Sequence, residues 1–227
     1  MILEIRAEVS QLGITRLCHF TPSRNLGHIA RGELGVLSTA KLEEDERRLF
    51  NPTDLQRLDG RKTHISCSVE YPNAWYFDLA AEKEQLFHDW VVLAVDPDPL
   101  WAEDTLFCPN NAAKSLGAGL TAGHAGFQRM FAQRVGNYRR QVVRGAWCPT
   151  DEQAEVMVKD QIPMDLINAV IVRDVSQAKR EALRLEVLKI GPAKFNWVVA
   201  PVLFEKYQLS SYLKIGQRPA EEPWAPW

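Results

Sequence analysis

The run DWVVLAVDP at residues 89–97 constrains the fold more than any other stretch of the chain. Trp90 to Val95 are apolar without a break, lacking the alternation of a half-exposed strand. A strand of that kind is buried on both faces, so the chain has to supply covering layers on either side. ITRLCHF (14–20), GVLS, THISCSVEY (63–71), AEVMV (154–158), AVIVRD (169–174) and NWVVAPVLF (196–204) read as its fellow strands. PSRNLGHIARGEL reads as a short helix with Pro22 near its first turn and Gly32 near its end, and AKLEEDERRLF as a charged, solvent-facing one. NAWYFDLAAEKEQLF is a helix capped by Asn73, GFQRMFAQRV another, and SQAKREALRLEVL an amphipathic helix capped by Ser176. The pattern predicts an α+β fold with a mixed central sheet: one domain over 1–215, then a proline-rich tail over 216–227, loose or a docking strap.

A chain of 227 residues can bury a sizeable core without a disulfide or metal staple. The four cysteines are scattered, form no CxxC pair and have no histidine at zinc-finger spacing, so free thiols and no metal are expected. No apolar run approaches membrane-spanning length, and the opening MILEIRAEV is interrupted by acids, unlike a signal peptide. A cytoplasmic protein with no membrane partner is the expectation.

Charge is distributed unevenly. Between Thr105 and Thr150 there is no Asp or Glu, yet Lys114, Arg129, Arg134, Arg139, Arg140 and Arg144 all fall there. Those six come from 27 cations, leaving 21 against 29 acids elsewhere. A basic segment of this kind attracts a polyanion to one face of a chain that is otherwise acidic. The acids return in CPTDEQAEVMV, where Glu155 opens an apolar run. A carboxylate at a strand edge beside a loop can stabilise developing positive charge or act as a base; a surface glutamate explains it equally well.

Three more segments carry candidate chemistry. LCHFTPSRNL sets His19 at a strand end with Thr21, Ser23 and Asn25 just beyond, polar groups suited to a nucleotide's amide, ribose or phosphate. A structural histidine and a helix cap account for the same residues. NPTDLQRLDGRKTHI offers Asp54, Arg57, Asp59 and Arg61, arginine being the strongest single ligand for phosphate, although a solvated charged loop has this composition too. SVEYPNAWYF groups Tyr71, Trp75 and Tyr76, faces that can stack on a nicotinamide or nucleobase or serve as core. The glycine-rich NAAKSLGAGLTAGHAG matches neither a Walker A loop nor a Rossmann fingerprint.

Taken in order, CHFTPSRNLGHIARGEL, NPTDLQRLDGRKTHISCSVEYPNAWYF, DWVVLAVDPDPLW with LFCPNNAA, and CPTDEQAEVMV with the AVIV strand downstream resemble the DarT family, toxins that ADP-ribosylate DNA using NAD. The resemblance covers residues 14–175, and the PTD-x-QAEV-like turn leading into a strand is its strongest piece. It implies the ADP-ribosyltransferase fold, two packed sheets with helices around an NAD cleft. It places His19 on the NAD-binding histidine, Asn25 and Thr21 among the cofactor contacts, and Glu155 on the catalytic glutamate. Arg57, with Arg61 close by, falls on the essential arginine near the pyrophosphate, and Trp75 or Tyr76 on the nicotinamide-facing position. Residues 137–153 correspond to the substrate-recognition loop.

RLDGRKTHISCSVEY departs from the run of the thymidine-modifying members, which carry a double arginine and a VPFYF-type strand. The chain therefore looks like the second branch, for which guanosine is the implied acceptor and thymidine the next. On this expectation His19 and Asn25 hold ribose and amide, Arg57 neutralises pyrophosphate and Glu155 serves the anomeric carbon and draws a proton from the base. The acceptor is single-stranded, since a paired base hides its Watson–Crick edge. Arg139, Arg140, Arg144 and Trp147 are expected to offer it phosphate contacts and a stacking face. The family further implies a separate antitoxin that removes ADP-ribose, of macrodomain or NADAR type. Competing readings are an RNA- or protein-modifying transferase on the same fold, and a catalytically silent nucleic-acid-binding domain.

Overall fold

The computed structural model describes residues 2–44, 59–84, 87–114 and 116–227. Its strands are β1 (Leu17–Pro22), β2 (Val36–Leu37), β3 (His64–Val69), β4 (Trp90–Val95), β5 (Leu106–Cys108), β6 (Thr121–Ala122), β7 (Arg134–Val135), β8 (Tyr138–Arg139), β9 (Glu155–Lys159), β10 (Gln161–Ile162), β11 (Ile167–Val172), β12 (Asn196–Val199) and β13 (Glu222–Trp224). Its helices are α1 (Ile2–Leu12), α2 (Leu26–Ile29), α3 (Thr39–Glu44), α4 (Ala74–Lys83), α5 (Gly123–Met130), α6 (Val175–Val187) and α7 (Lys206–Lys214).

Nine strands form one sheet in the order β13-β12-β11-β4-β1-β3-β9-β5-β6. Every residue of β4 is buried, as its unbroken apolar run requires. Pairings are antiparallel except β11 with β12, which run parallel because α6 crosses between them. The two sheets expected from the family resemblance are the two halves of this one, β13 to β1 and β3 to β6, joined between β1 and β3.

Local chemistry sets the helices. Asn73 Oδ1 accepts from Tyr76 N–H at 3.0 Å and caps α4 as expected. At α6 the cap is Asp174, not Ser176: the helix starts at Val175, two residues earlier than a Ser176 cap implies, and Asp174 Oδ1 accepts from Gln177 N–H at 2.7 Å. Ser176 Oγ instead accepts from Arg180 on the exposed face. Pro22 ends β1, and the expected short helix is a 3-10 turn over Ser23–Asn25 followed by α2. The first strand starts at Leu17 rather than residue 14, because Ile14 N–H still closes the end of α1 on Val9 O, with Gly13 at φ +69. Helix α1 itself buries Ile5 and Val9, four residues apart, and packs on α5.

The C-terminal segment is built into the sheet. Strand β13 pairs antiparallel with β12, setting Trp224 beside Trp197 with ring centroids 6.1 Å apart. Glu221 takes both guanidinium nitrogens of Arg16, at 2.6 and 2.5 Å, a bidentate bond across 205 residues. The last residues are thus a strap across the sheet's edge.

The capping assignment is testable by urea unfolding: Asp174→Ala should cost about 1 kcal/mol, whereas Ser176→Ala should stay within about 0.5 kcal/mol of the parent.

Candidate active site

The site is built where the sheet comes apart. Strand β1 pairs with β4 along its whole length, Leu17↔Val95 through Pro22↔Trp90. With β3 it pairs only at Leu17↔Val69 and Cys18↔Ser68. Beyond those two pairs β3 stays with β9, from Cys67↔Val156 to His64↔Lys159, and diverges from β1. His19 is the first residue of β1 past the junction.

One hydrogen-bonded chain crosses the opening. His19 Nδ1 lies 2.9 Å from Ser66 O, and because a carbonyl only accepts, Nδ1 carries the proton. In the neutral ring Nε2 is then the acceptor. Ser66 Oγ donates to Glu155 Oε2 at 3.0 Å. Glu155 opens β9 opposite Cys108 and is 7% exposed. Ser66 pairs with Met157, so Glu155 is its diagonal neighbour on the same face of the sheet.

Ser66 was not among the expected site residues. The signal for it lies in HISCSV, where His64, Ser66 and Ser68 alternate with Ile65, Cys67 and Val69 on a largely buried strand. A polar face there needs partners, and Ser68 has them too, donating to Cys18 O and accepting from Asn73 N–H. Cys67 and Cys108 flank the chain, but burial pushes both thiols upward, so neither is a ready nucleophile.

The other expected cofactor residues fall as follows. Thr21 is buried, and its Oγ1 accepts from Asn25 Nδ2 at 2.8 Å, linking the end of β1 to the turn before α2. Tyr76 packs against Phe20 with centroids 6.1 Å apart, next to His19 in sequence. Trp75 turns elsewhere: its indole N–H donates to Glu152 Oε2 at 3.0 Å and its ring meets Tyr207 of α7 edge-on at 5.5 Å. Of the two, only Tyr76 is tied to β1. Arg57 lies outside the described residues, and Arg61 N–H donates to Asp59 Oδ1 at 2.9 Å.

The loop before Glu155 revises the expected substrate contacts. Arg140 donates to Cys148 O at 2.7 Å, Gly145 O at 2.9 Å and Ala146 O at 3.2 Å. Arg144 donates to Pro149 O at 2.7 Å and Cys148 Sγ at 3.0 Å, and stands 3.6 Å from Glu152. Trp147 is only 9% exposed, edge-on to Tyr71 at 5.3 Å with the Arg218 guanidinium 4.6 Å from its ring. Arg144 and Trp147 are therefore the interior of the loop, and Arg140, partly exposed, is engaged with the loop's own carbonyls. An irregular segment leaves carbonyls that need donors, and a guanidinium carries five. Arg139 does remain exposed, paired across the β7–β8 hairpin with Arg134 and followed by exposed Val142 and Val143.

The turn leading into β9 is pinned from both sides. Thr150 N–H donates to Met130 O at 2.9 Å and its hydroxyl to Ala132 O at 2.7 Å. Asp151 is buried and accepts from Gln153 N–H at 2.9 Å, while Ala154 N–H reaches Asp151 O. Glu155 is positioned by that turn as much as by its strand.

The mixed sheet, opening beside His19 of β1 with the buried Glu155 held across the gap through Ser66, has the architecture of the ADP-ribosyltransferase fold. Residues 18–199 match the family model described as "ssDNA thymidine ADP-ribosyltransferase, DarT", and the chain belongs to the DarT family. Among solved structures, Thermosipho africanus DarTG in complex with ADP-ribose is 16% identical with a TM-score of 0.59, over 84% of this chain and 51% of that one. The chain thus spans about half the length of that relative, and at this identity the likeness shows the fold. Thermus sp. 2.9 DarT in complex with NAD+ is 16% identical over 78% of this chain and 87% of its own, with a TM-score of 0.49. Thermus sp. 2.9 DarT in complex with ADP-ribosylated ssDNA is 15% identical over 78% and 88%, with a TM-score of 0.45. No curated protein matches the chain.

Burial pushes the Asp151 carboxyl up, opposed in part by the Gln153 N–H. A raised folded-state value means that ionisation works against folding, so this contribution falls as pH rises through it. Asp151→Asn retains the acceptor for Gln153. It should match the parent well below the ordinary carboxylate value of about 3.9 and be the more stable protein at neutral pH, as read by urea midpoints at both pH values.

Proposed function

We propose that this chain transfers ADP-ribose from NAD to a base of single-stranded DNA, in the cytoplasm, with Glu155 as the catalytic carboxylate. The observation that carries the reading is the bonded chain His19–Ser66–Glu155 across the β1/β3 opening. It supplies what the reaction asks of a protein: a fixed imidazole on one lip and an anchored carboxylate on the other. When bound, NAD supplies a sugar carbon with nicotinamide as leaving group. The bond to nicotinamide breaks, a base nitrogen forms the new bond to that carbon, and the proton leaving the base goes to Glu155. Ser66 acts through Glu155, fixing one of its oxygens so that the other points a constant way. His19, Asn25 and Tyr76 are assigned to hold the nicotinamide half, and Arg57 the pyrophosphate.

The acceptor strand is assigned to the exposed hairpin. Arg134 and Arg139 face solvent as a cross-strand pair with Tyr138 half-exposed beside them, two phosphate contacts and one stacking face. Guanosine is the favoured base because RLDGRKTHISCSVEY departs from the thymidine-modifying pattern; thymidine, named in the family description, is the competing outcome. The four cysteines are free thiols, which suits a reducing compartment. A toxin role, with a separate antitoxin of macrodomain or NADAR type that removes ADP-ribose, follows from the family resemblance and from no residue of this chain.

Labelled NAD incubated with single-stranded oligonucleotides that each lack one base tests the reading. Label should reach every oligonucleotide except the one lacking guanine, and Glu155→Ala should reduce transfer by about 100-fold or more. Transfer to RNA or protein alone, or to no acceptor, sinks the assignment. Ser66→Ala should lower kcat more than it changes KM for NAD, because Glu155 stays in place while losing its anchor. Arg134→Glu with Arg139→Glu should raise KM for the oligonucleotide about tenfold and flatten its salt dependence, leaving NAD affinity unchanged; equal loss of both would move the DNA path elsewhere.

A further inference from the structure

Arg218 lies beyond the matched family region and is not itself among the residues assigned to NAD or DNA, yet it joins the two parts of the site that have to stay in register. One side of its guanidinium lies 4.6 Å from the Trp147 ring, inside the loop that precedes Glu155. Its Nη1 donates to the Glu70 carboxylate, and its Nη2 to Gly13 O at 3.0 Å. Glu70 is the first residue after β3, 1% exposed and held at φ +63, a conformation that non-glycine residues rarely adopt. Its carboxylate also accepts from Thr15 N–H at 2.7 Å and Thr15 Oγ1 at 2.9 Å, and its carbonyl from Arg16 Nε at 2.9 Å. Those bonds sit beside Leu17↔Val69, the pair where β1 and β3 are still joined.

Neighbouring residues of the same segment make the connection tighter. Gly216 has φ +69, and a Cβ there would stand 2.3 Å from Val143 O, so the segment runs directly against the loop's backbone. Glu221 grips Arg16 and β13 completes the sheet edge, which fixes the segment at its far end.

We infer that Arg218 is a positioning residue for the transfer reaction: it braces the 143–150 loop against the β1/β3 junction and so sets the loop's pose relative to Glu155. The inference rests on the transferase reading for its catalytic consequence, but the brace itself is a statement about the loop. Lysine at 218 retains the charge opposite Glu70 and loses the planar face over Trp147. Alanine loses both.

The full-length protein and its Arg218→Ala and Arg218→Lys variants would be compared by amide hydrogen exchange of peptides spanning 141–150, NAD affinity, and transfer to a single-stranded oligonucleotide. In Arg218→Ala, exchange in the loop should quicken about tenfold and kcat/KM for the oligonucleotide fall about tenfold or more, since small misplacements remote from the chemistry carry large rate effects. NAD affinity should stay within about twofold, and Arg218→Lys should fall between. Unchanged loop exchange in Arg218→Ala overturns the inference, as does quickening spread evenly over the whole chain with NAD affinity lost in parallel, the mark of a merely structural residue. Loop exchange that responds while the wild type transfers no label supports the brace and overturns the transferase reading instead.

Discussion

The site depends on a junction two residue pairs wide. Leu17 and Cys18 hold β3, and from His19 onward β1 has a ladder partner only on its β4 side. Continued pairing would close with backbone the gap that separates His19 from Glu155. What ends it is visible on both strands: β3 keeps its bonds to β9, and the chain leaves β3 through Glu70 in a left-handed conformation. A buried carboxylate at such a position is costly unless its oxygens are satisfied. Thr15 and Arg218 satisfy them, and Arg16 takes the backbone carbonyl, so two distant chain segments secure one turn.

That junction also explains why the serine between the histidine and the glutamate matters. Ser66 belongs to the half-sheet that carries Glu155, while His19 belongs to the other. The carbonyl of Ser66 fixes the tautomer of His19, and its hydroxyl fixes one oxygen of Glu155. A single residue therefore bonds groups on both lips, through its backbone carbonyl and its side-chain hydroxyl.

The basic stretch has a divided role. Read as charge alone, its six cations form one field. In the fold, Arg140 and Arg144 are turned inward onto the carbonyls of a loop that has few ladder bonds of its own, and Trp147 is covered. Arg134 and Arg139 stay outside on a small hairpin. The same residue type thus builds the loop and charges its surface, and only the set of neighbouring carbonyls separates the two uses.

Much of the fold was legible from the sequence because its causes are local. The apolar run of β4, the alternation in β3, the periodicity of α6 and the Asn73 cap each act within a few residues. Glu155 was singled out for a related reason, since it opens β9 beside a turn with its own composition, whereas His19, expected at a strand end, is the third of the six residues of β1. Ser66 was overlooked because its importance lies in a hydrogen bond to a residue 89 positions away. For residues 216–227 the sequence left both a loose tail and a docking strap open, because proline-rich sequence carries no periodicity and the segment's bonds go to Arg16, Glu70 and Trp197. Sequence by itself marked the central strands and helices α4 and α6 and singled out His19 and Glu155 as candidates, but it read Pro201–Phe204 as strand where the chain forms a 3-10 turn, and it gave no reading of α1 or α7. Tertiary structure alone decided where the sheet opens, which arginines face inward and what holds the loop. Those outcomes depend on which distant group satisfies a buried carbonyl or carboxylate, and no local pattern encodes that partner.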